Sequence, residues 1–186
     1  MNFRSILELD AQLSEKMRVA EKPGALRAIA VLFAHSGDSW LWVPALIIAW
    51  FLSNSPWKEW ESVEFLGIIL IAALVMSIKF LVRRRRPEGE WGGIYRNTDP
   101  HSFPSGHAAR SFLIATLALG LVPGWLAVVL WFWAPLVAVA RVAMGVHYVS
   151  DVVAGAALGI LCGLIGLQVY HPVFVWITNL LGFSFW

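Results

Sequence analysis

Charge is what this chain most lacks. Only 14% of its 186 residues are Asp, Glu, Lys or Arg, against roughly 25% in an ordinary soluble domain. Apolar residues make up 59%, an excess that calls for lipid rather than a small aqueous core. Cysteine is nearly missing. Cys162 stands alone, which excludes an intramolecular disulfide and a cysteine zinc cluster. It lies in an apolar run, where a small packing residue is expected. Net charge of one sign is also scarce, and +2 gives no reason to expect a nucleic-acid partner. No cleavable signal peptide is visible, because the opening MNFRSILELDAQLSEK is too charged for one.

What the chain does have is apolar runs and Trp, eleven of them, a residue suited to the membrane–water interface. The expected fold is all-α: a polytopic membrane helix bundle of about five to six transmembrane helices, with interfacial helices at the termini. Residues 1–186 read as a single domain. Residues 1–24 form an N-terminal interfacial helix. Ile6, Leu9, Leu13 and Met17 recur at helical spacing, while Arg4, Glu8, Asp10, Glu15, Lys16 and Arg18 take other faces. That helix either lies on the membrane or packs on the protein, and Pro23-Gly24 ends it.

Residues 25–36 are apolar but too short to cross alone, so they read as a short or re-entrant helix broken at Gly37-Asp38. His35, beside that break, reads as structural or solvated. Spans are expected at 39–54, 65–82, 106–121, 125–144 and 148–170. Ser53 to Glu64 reads as a polar turn anchored by Trp57 and Trp60. Residues 83–105 form the longest polar stretch, and Pro172 is expected to stop the last span. Beyond it Phe174, Trp176, Phe183, Phe185 and Trp186 suit the interface. Gly155, Gly159 and Gly163 recur every four residues, a small face for close helix packing inside the monomer or between the copies of a homodimer.

Three polar clusters interrupt this apolar chain, and polar residues at membrane depth are costly enough to suggest function. With antiparallel neighbouring spans, all three fall on one side of the membrane. Lys79, Arg83 and Arg86 share a helical face and would repel one another without an anion among them. Arg offers a planar fork to phosphate and Lys a point charge. Snorkelling to headgroups is the bland reading of the 83–86 arginine run.

Pro104-Ser105-Gly106-His107 opens a helix, with Ser105 as N-cap and unpaired backbone N–H groups forming an anion site. His107 would stand beside that anion. His147 and Asp151 are four residues apart, a spacing that lets a carboxylate orient an imidazole. Arg141 sits at the preceding span end. Each pattern alone also fits a structural role. Glu88, Glu90 and Asp99 read as a solvated loop.

Taken in order, the clusters resemble the type 2 phosphatidic acid phosphatase (PAP2) superfamily. That pattern is Lys, six residues, Arg-Pro; then Pro-Ser-Gly-His; then Ser-Arg, five residues, His, three residues, Asp. Here it reads Lys79 to Arg86-Pro87, Pro104 to His107, and Arg141 to His147 to Asp151, with Ala140 where the family has serine. The resemblance covers about residues 65–170, the expected catalytic core. It implies a phosphatase acting on a membrane lipid, with no cofactor and no metal. His147 would be the nucleophile, Asp151 its orienting partner, and His107 the proton donor. Lys79, Arg86, Ser105, Gly106 and Arg141 would bind phosphoryl oxygens, and Arg83 and Arg96 a headgroup, leaving Arg84 and Arg85 to the bilayer surface. Phosphatidic acid, phosphatidylglycerol phosphate and polyprenyl phosphates or diphosphates are candidate substrates. A lipid phosphotransferase and a non-enzymatic lipid-binding protein are the alternatives. A multi-pass protein of a bacterial cell membrane is implied. The family resemblance implies an extracytoplasmic site, whereas the crowding of Lys and Arg on the catalytic side points to the cytoplasm.

Overall fold

The computed structural model describes residues 2–89 and 97–182, without the side chains of residues 3 and 4. Its helices are α1 (Phe3–Lys16), α2 (Ala25–Ser36), α3 (Ser39–Leu52), α4 (Trp57–Val82), α5 (Gly106–Leu121), α6 (Gly124–Ala143) and α7 (Val149–Leu181). The all-α bundle expected from the apolar runs is present. The span count is smaller. By length and composition α4, α6 and α7 can cross a membrane, and α2 with α3 makes a fourth crossing only if the pair, bent by 54°, counts as one. The expectation of five to six treated α5 as a full span, but its 16 residues fall short of the roughly 20 an untilted crossing needs. Most of α5 is buried by its neighbours.

Two boundaries differ from expectation for physical reasons. The polar turn assigned to residues 53–64 is helical from Trp57 onward, because its polar groups find partners. Ser53 Oγ donates to Glu61 Oε2 at 2.6 Å, Trp50 Nε1 to Ser62 Oγ at 3.0 Å, and Trp60 Nε1 to Glu64 Oε1 at 3.0 Å. Pro172 does not stop α7, which runs on to Leu181. Phe174, just past that proline, is buried against Val63 and Ile71 of α4, and this packing carries the helix through. Trp176 is exposed, while Phe183, Phe185 and Trp186 lie outside the described residues.

Helix α1 packs on the protein by its polar face and leaves its apolar face outward. Ile6, Leu9, Leu13 and Met17 point outward and are exposed. Its polar Asp10 and Ser14 turn inward and are buried. They take the free N–H groups at the start of α7: Ser150 N donates to Asp10 Oδ1 at 2.9 Å, and Val149 N to Ser14 Oγ at 3.0 Å. A helix start exposes such unpaired donors, and a neighbouring carboxylate is a good partner for them.

The centre of the bundle is the contact of α5 with α7. The glycine face expected on sequence grounds is used here, inside the monomer. A Cβ on Gly155 would lie 2.5 Å from Ser105 O, one on Gly159 2.2 Å from Ala109 O, and one on Gly163 2.6 Å from Thr116 Cβ. Sequence numbers rise together along the two helices, so both start at the same end. Ser105 N donates to Asp151 O at 2.9 Å across that shared end. Gly159→Ala would push backbone against backbone, and overpacking of this kind costs about 1–3 kcal/mol. We expect a lower melting midpoint and reduced activity for Gly159→Ala in detergent. Gly124→Ala is the control, since its Cβ would meet nothing within 4 Å. Equal melting of the two variants would contradict this packing.

Candidate active site

The end of the bundle where α5 and α7 begin also receives the ends of α4 and α6. Lys79 lies in the last turn of α4 and Arg141 in the last turn of α6, both buried. Ser105 caps α5, accepting from Ala108 N at 3.4 Å, and Gly106 is its first residue. Between α6 and α7, Gly145 takes a left-handed φ of 66°, which a side chain would strain. That turn directs His147 inward, where it is 1% exposed. Lys79, Arg86, Ser105, Arg141, His147 and Asp151 are all buried. The charge of Arg141 acts on Lys79, Arg86, His107 and His147 alike, so the three sequence clusters meet in one place.

His147 is the best-defined member. Arg86 Nη1 lies 3.2 Å from His147 Nε2 and 2.9 Å from Val146 O. A guanidinium only donates, so Nε2 is the acceptor and the ring proton is on Nδ1. That Nδ1 faces Asp151 Oδ2 at 3.5 Å, longer than a normal N–H···O bond. Oδ2 also accepts from Tyr148 N at 2.9 Å. Burial pushes the His147 imidazole down to about 3, with Arg86 and Arg141 adding to the effect and Asp151 opposing it. A neutral imidazole with its Nε2 lone pair directed toward cations is the form a nucleophile requires.

Three features were not expected from the sequence. First, Asp99 is not part of a solvated loop. Its carboxylate meets Lys79 Nζ and accepts from Arg86 Nη2 at 2.8 Å, while Arg86 Nε donates to its backbone oxygen at 2.7 Å. Burial alone would raise the Asp99 carboxyl, but the Lys79 bond and the charges of Lys79 and Arg86 hold it below its usual range. Second, Arg84 is not a headgroup contact. It donates to Asp151 Oδ1 at 2.8 Å, Ser150 Oγ at 2.6 Å and Asp10 Oδ2 at 2.7 Å, and stacks 4.0 Å over the Tyr148 ring. It thereby fastens α1 to the carboxylate beside His147. Third, His107 Nε2 lies 2.5 Å from Asp38 Oδ1, a carboxylate from the α2–α3 break.

Arg83 is not brought into this cluster. It ends α4 in a left-handed conformation, exposed, with Nε on Phe80 O at 2.8 Å. Arg85 is exposed as well. Arg96 and Glu90 lie outside the described residues, and Glu88 is exposed. Nothing local in the sequence marks Asp99 or Arg84, since both sit in polar stretches full of similar residues. Asp38 carried one signal, a carboxylate inside an otherwise apolar run. Among the described residues, no group of three or more His, Cys, Asp or Glu is placed to hold a metal ion.

Comparison with known proteins identifies relatives of this chain. The PAP2 superfamily pattern matches residues 61–174. The chain is 36% identical over 163 residues to decaprenylphosphoryl-5-phosphoribose phosphatase of Mycobacterium tuberculosis, covering 85% of this chain and 88% of that protein. It is 30% identical over 192 residues to probable lipid phosphate phosphatase beta of Arabidopsis thaliana, covering 88% and 89%. The crystal structure of Aquifex aeolicus LpxE is similar with a TM-score of 0.69 at 31% identity, over 86% of this chain and 95% of that one. The chain belongs to the PAP2 superfamily and is a multi-pass membrane lipid phosphatase of the metal-independent kind.

The buried neutral His147 links stability to pH. An unfolded imidazole takes up a proton near its ordinary 6.5, whereas the folded one resists until about 3. The unfolded state therefore binds more protons in that window, and stability falls as pH drops through it. We expect the melting midpoint to fall on acidification from about pH 7.5 to about pH 5, and to fall less for His147→Gln. Parallel slopes for the two proteins would contradict a buried neutral His147.

Proposed function

We propose that this phosphatase removes a terminal phosphate monoester from a membrane lipid through a phosphohistidine at His147. One observation carries the reading: His147 Nε2 faces the Arg86 guanidinium while Nδ1 faces Asp151. An imidazole held in that tautomer presents its lone pair where cations would hold a phosphoryl group. Lys79, Arg86 and Arg141, with the Ser105 hydroxyl and the Gly106 N–H at the start of α5, bind the phosphoryl oxygens. Asp99 gives up Lys79 and Arg86 to the phosphate or shares them with it. Residues 65–170 form the catalytic core of a single domain.

The reaction runs in two steps. His147 Nε2 attacks phosphorus, the bond to the leaving oxygen breaks with its electron pair going to that oxygen, and His107 supplies the proton. Asp151 stabilises the positive charge on His147 as the P–N bond forms. Water then attacks phosphorus, His107 takes a proton from it, and the P–N electrons return to His147. Inorganic phosphate leaves, and both histidines are restored. The relatives named for a lipid phosphate and for a decaprenyl-linked phosphoribose support a phosphate carried on a lipid.

His147→Ala should lose at least about 1,000-fold in phosphate release, as expected when a covalent nucleophile is removed. Wild type quenched in base during turnover of radiolabelled lipid phosphate should retain label that acid removes, the behaviour of a phosphoramidate. A panel of phosphatidic acid, phosphatidylglycerol phosphate and a polyprenyl phosphate, with free phosphate as readout, identifies the lipid. Full phosphate release by His147→Ala would rule out the mechanism.

A further inference from the structure

The break between α2 and α3 is built rather than incidental. Gly37 lets it approach the bundle: a Cβ there would lie 2.9 Å from Val137 Cγ1 and 3.6 Å from His107 Cδ2. Arg110, one turn beyond His107 on α5, holds the break in place. Its Nε donates to Gly37 O at 2.8 Å, its Nη2 also meets that oxygen, and its Nη1 donates to Ser39 Oγ at 2.5 Å. Asp38 occupies the N-cap position of α3, where an aspartate ordinarily accepts from its own helix. Its side chain makes no such bond.

Instead the carboxylate of Asp38, 6% exposed, is turned to three other donors. Oδ1 faces His107 Nε2 at 2.5 Å, and Oδ2 faces His35 Nδ1 at 2.9 Å and accepts from Trp40 Nε1 at 2.8 Å. A buried carboxylate is costly unless paired and hydrogen-bonded, and diverting it from its own helix start adds to that cost. Burial holds the His107 imidazole well below its usual range, and the charges of Arg141 and Arg110 add to the effect. They oppose its protonation, and Asp38 is a negative charge in contact with it.

We propose that Asp38 is a positioning residue for His107, holding the imidazole turned and, together with the anionic phosphoryl group of the substrate, favouring the protonated form that donates to the leaving oxygen. This role rests on the phosphohistidine reading above. A carboxylate only accepts, so His107 Nε2 carries a proton toward Asp38, and the proton handed over is the one on Nδ1. In the first step that proton goes to the leaving oxygen as the P–O bond breaks, leaving a neutral His107 whose Nε2–H still donates to Asp38. In the second step Nδ1 takes a proton from the attacking water as the P–N bond breaks. Each histidine of the site then has its own carboxylate, Asp151 for His147 and Asp38 for His107.

A purely structural Asp38, one that only locks the break to α5, makes a different prediction. An aryl phosphate such as p-nitrophenyl phosphate has a leaving group that needs no proton, whereas a lipid alcohol does. In Asp38→Asn, steady-state hydrolysis of phosphatidic acid should fall about 100-fold or more, the usual contribution of a positioned acid–base group. With p-nitrophenyl phosphate the same variant should still release a stoichiometric burst of nitrophenol near the wild-type rate. Slow turnover and accumulated phosphoenzyme should follow. Asp38→Glu, which keeps the charge, should recover part of the turnover and serves if the Asn variant does not fold.

Wild-type turnover of phosphatidic acid by Asp38→Asn would overturn the proposal. So would loss of the burst together with turnover in a folded variant, or an Asp38→Glu protein that is folded and as inactive as Asp38→Asn. If wild type forms no His147-dependent phosphoenzyme, the phosphohistidine reading itself fails and the role of Asp38 falls with it. A failure confined to the Asp38 variants leaves that reading standing.

Discussion

The close contact of α5 with α7 sets the positions of everything else in the site. Gly155 and Gly159 allow backbone to approach backbone, so that Ser105 N reaches Asp151 O at 2.9 Å. Without that approach the Ser-Gly-His helix start and the His147–Asp151 pair would stand a side chain's width apart. No apolar driving force pulls helices together in lipid, so small residues that permit close packing have to supply the association. The pocket is thus a consequence of a stripe that carries no chemistry of its own. Arg84 and α1 then secure the α7 end, and Arg110 and the α2–α3 break secure the α5 end.

Around this junction several charges meet an opposite one. Lys79 and Arg86 meet Asp99, Arg84 meets Asp10 and Asp151, and His107 meets Asp38. Ion pairs buried at this depth add little to stability after desolvation. Their value is that cations can be kept inside an apolar bundle with fixed orientation until an anion competes for them. On the proposed reading, a phosphate among Lys79, Arg86 and Arg141 would exchange one set of charge-assisted bonds for another. That exchange would take place in low dielectric, where fixed donors act most strongly on developing charge.

Much of this was legible in the sequence, and unevenly so. The motif residues could be read by their order and spacing, but not as helix faces: α4 ends at Val82, so Arg86 lies beyond it, and His147 stands before the first residue of α7. The glycine stripe was legible as packing, though only the structure shows that α5 uses it. The span count from the sequence is larger than the number of helices long enough to cross, because it includes α5, a 16-residue apolar helix enclosed by its neighbours. The start of α4 was misread because Glu61 and Glu64 look solvated until Ser53 and Trp60 are placed beside them. Asp38, Arg84 and Asp99 were missed because their partners lie 69, 67 and 20 residues away, and no local period connects such pairs.

The central claim is that three distant clusters hold one phosphoryl group between His147 and His107. A structure determined with vanadate bound tests it most directly, because vanadate adopts the five-coordinate geometry of phosphoryl transfer. The account predicts vanadium within bonding distance of His147 Nε2, with its oxygens on Lys79, Arg86, Arg141 and the Ser105-Gly106 helix start, and one apical oxygen facing His107. Vanadate bound elsewhere, or held by the arginines with His147 turned away from it, would contradict the account.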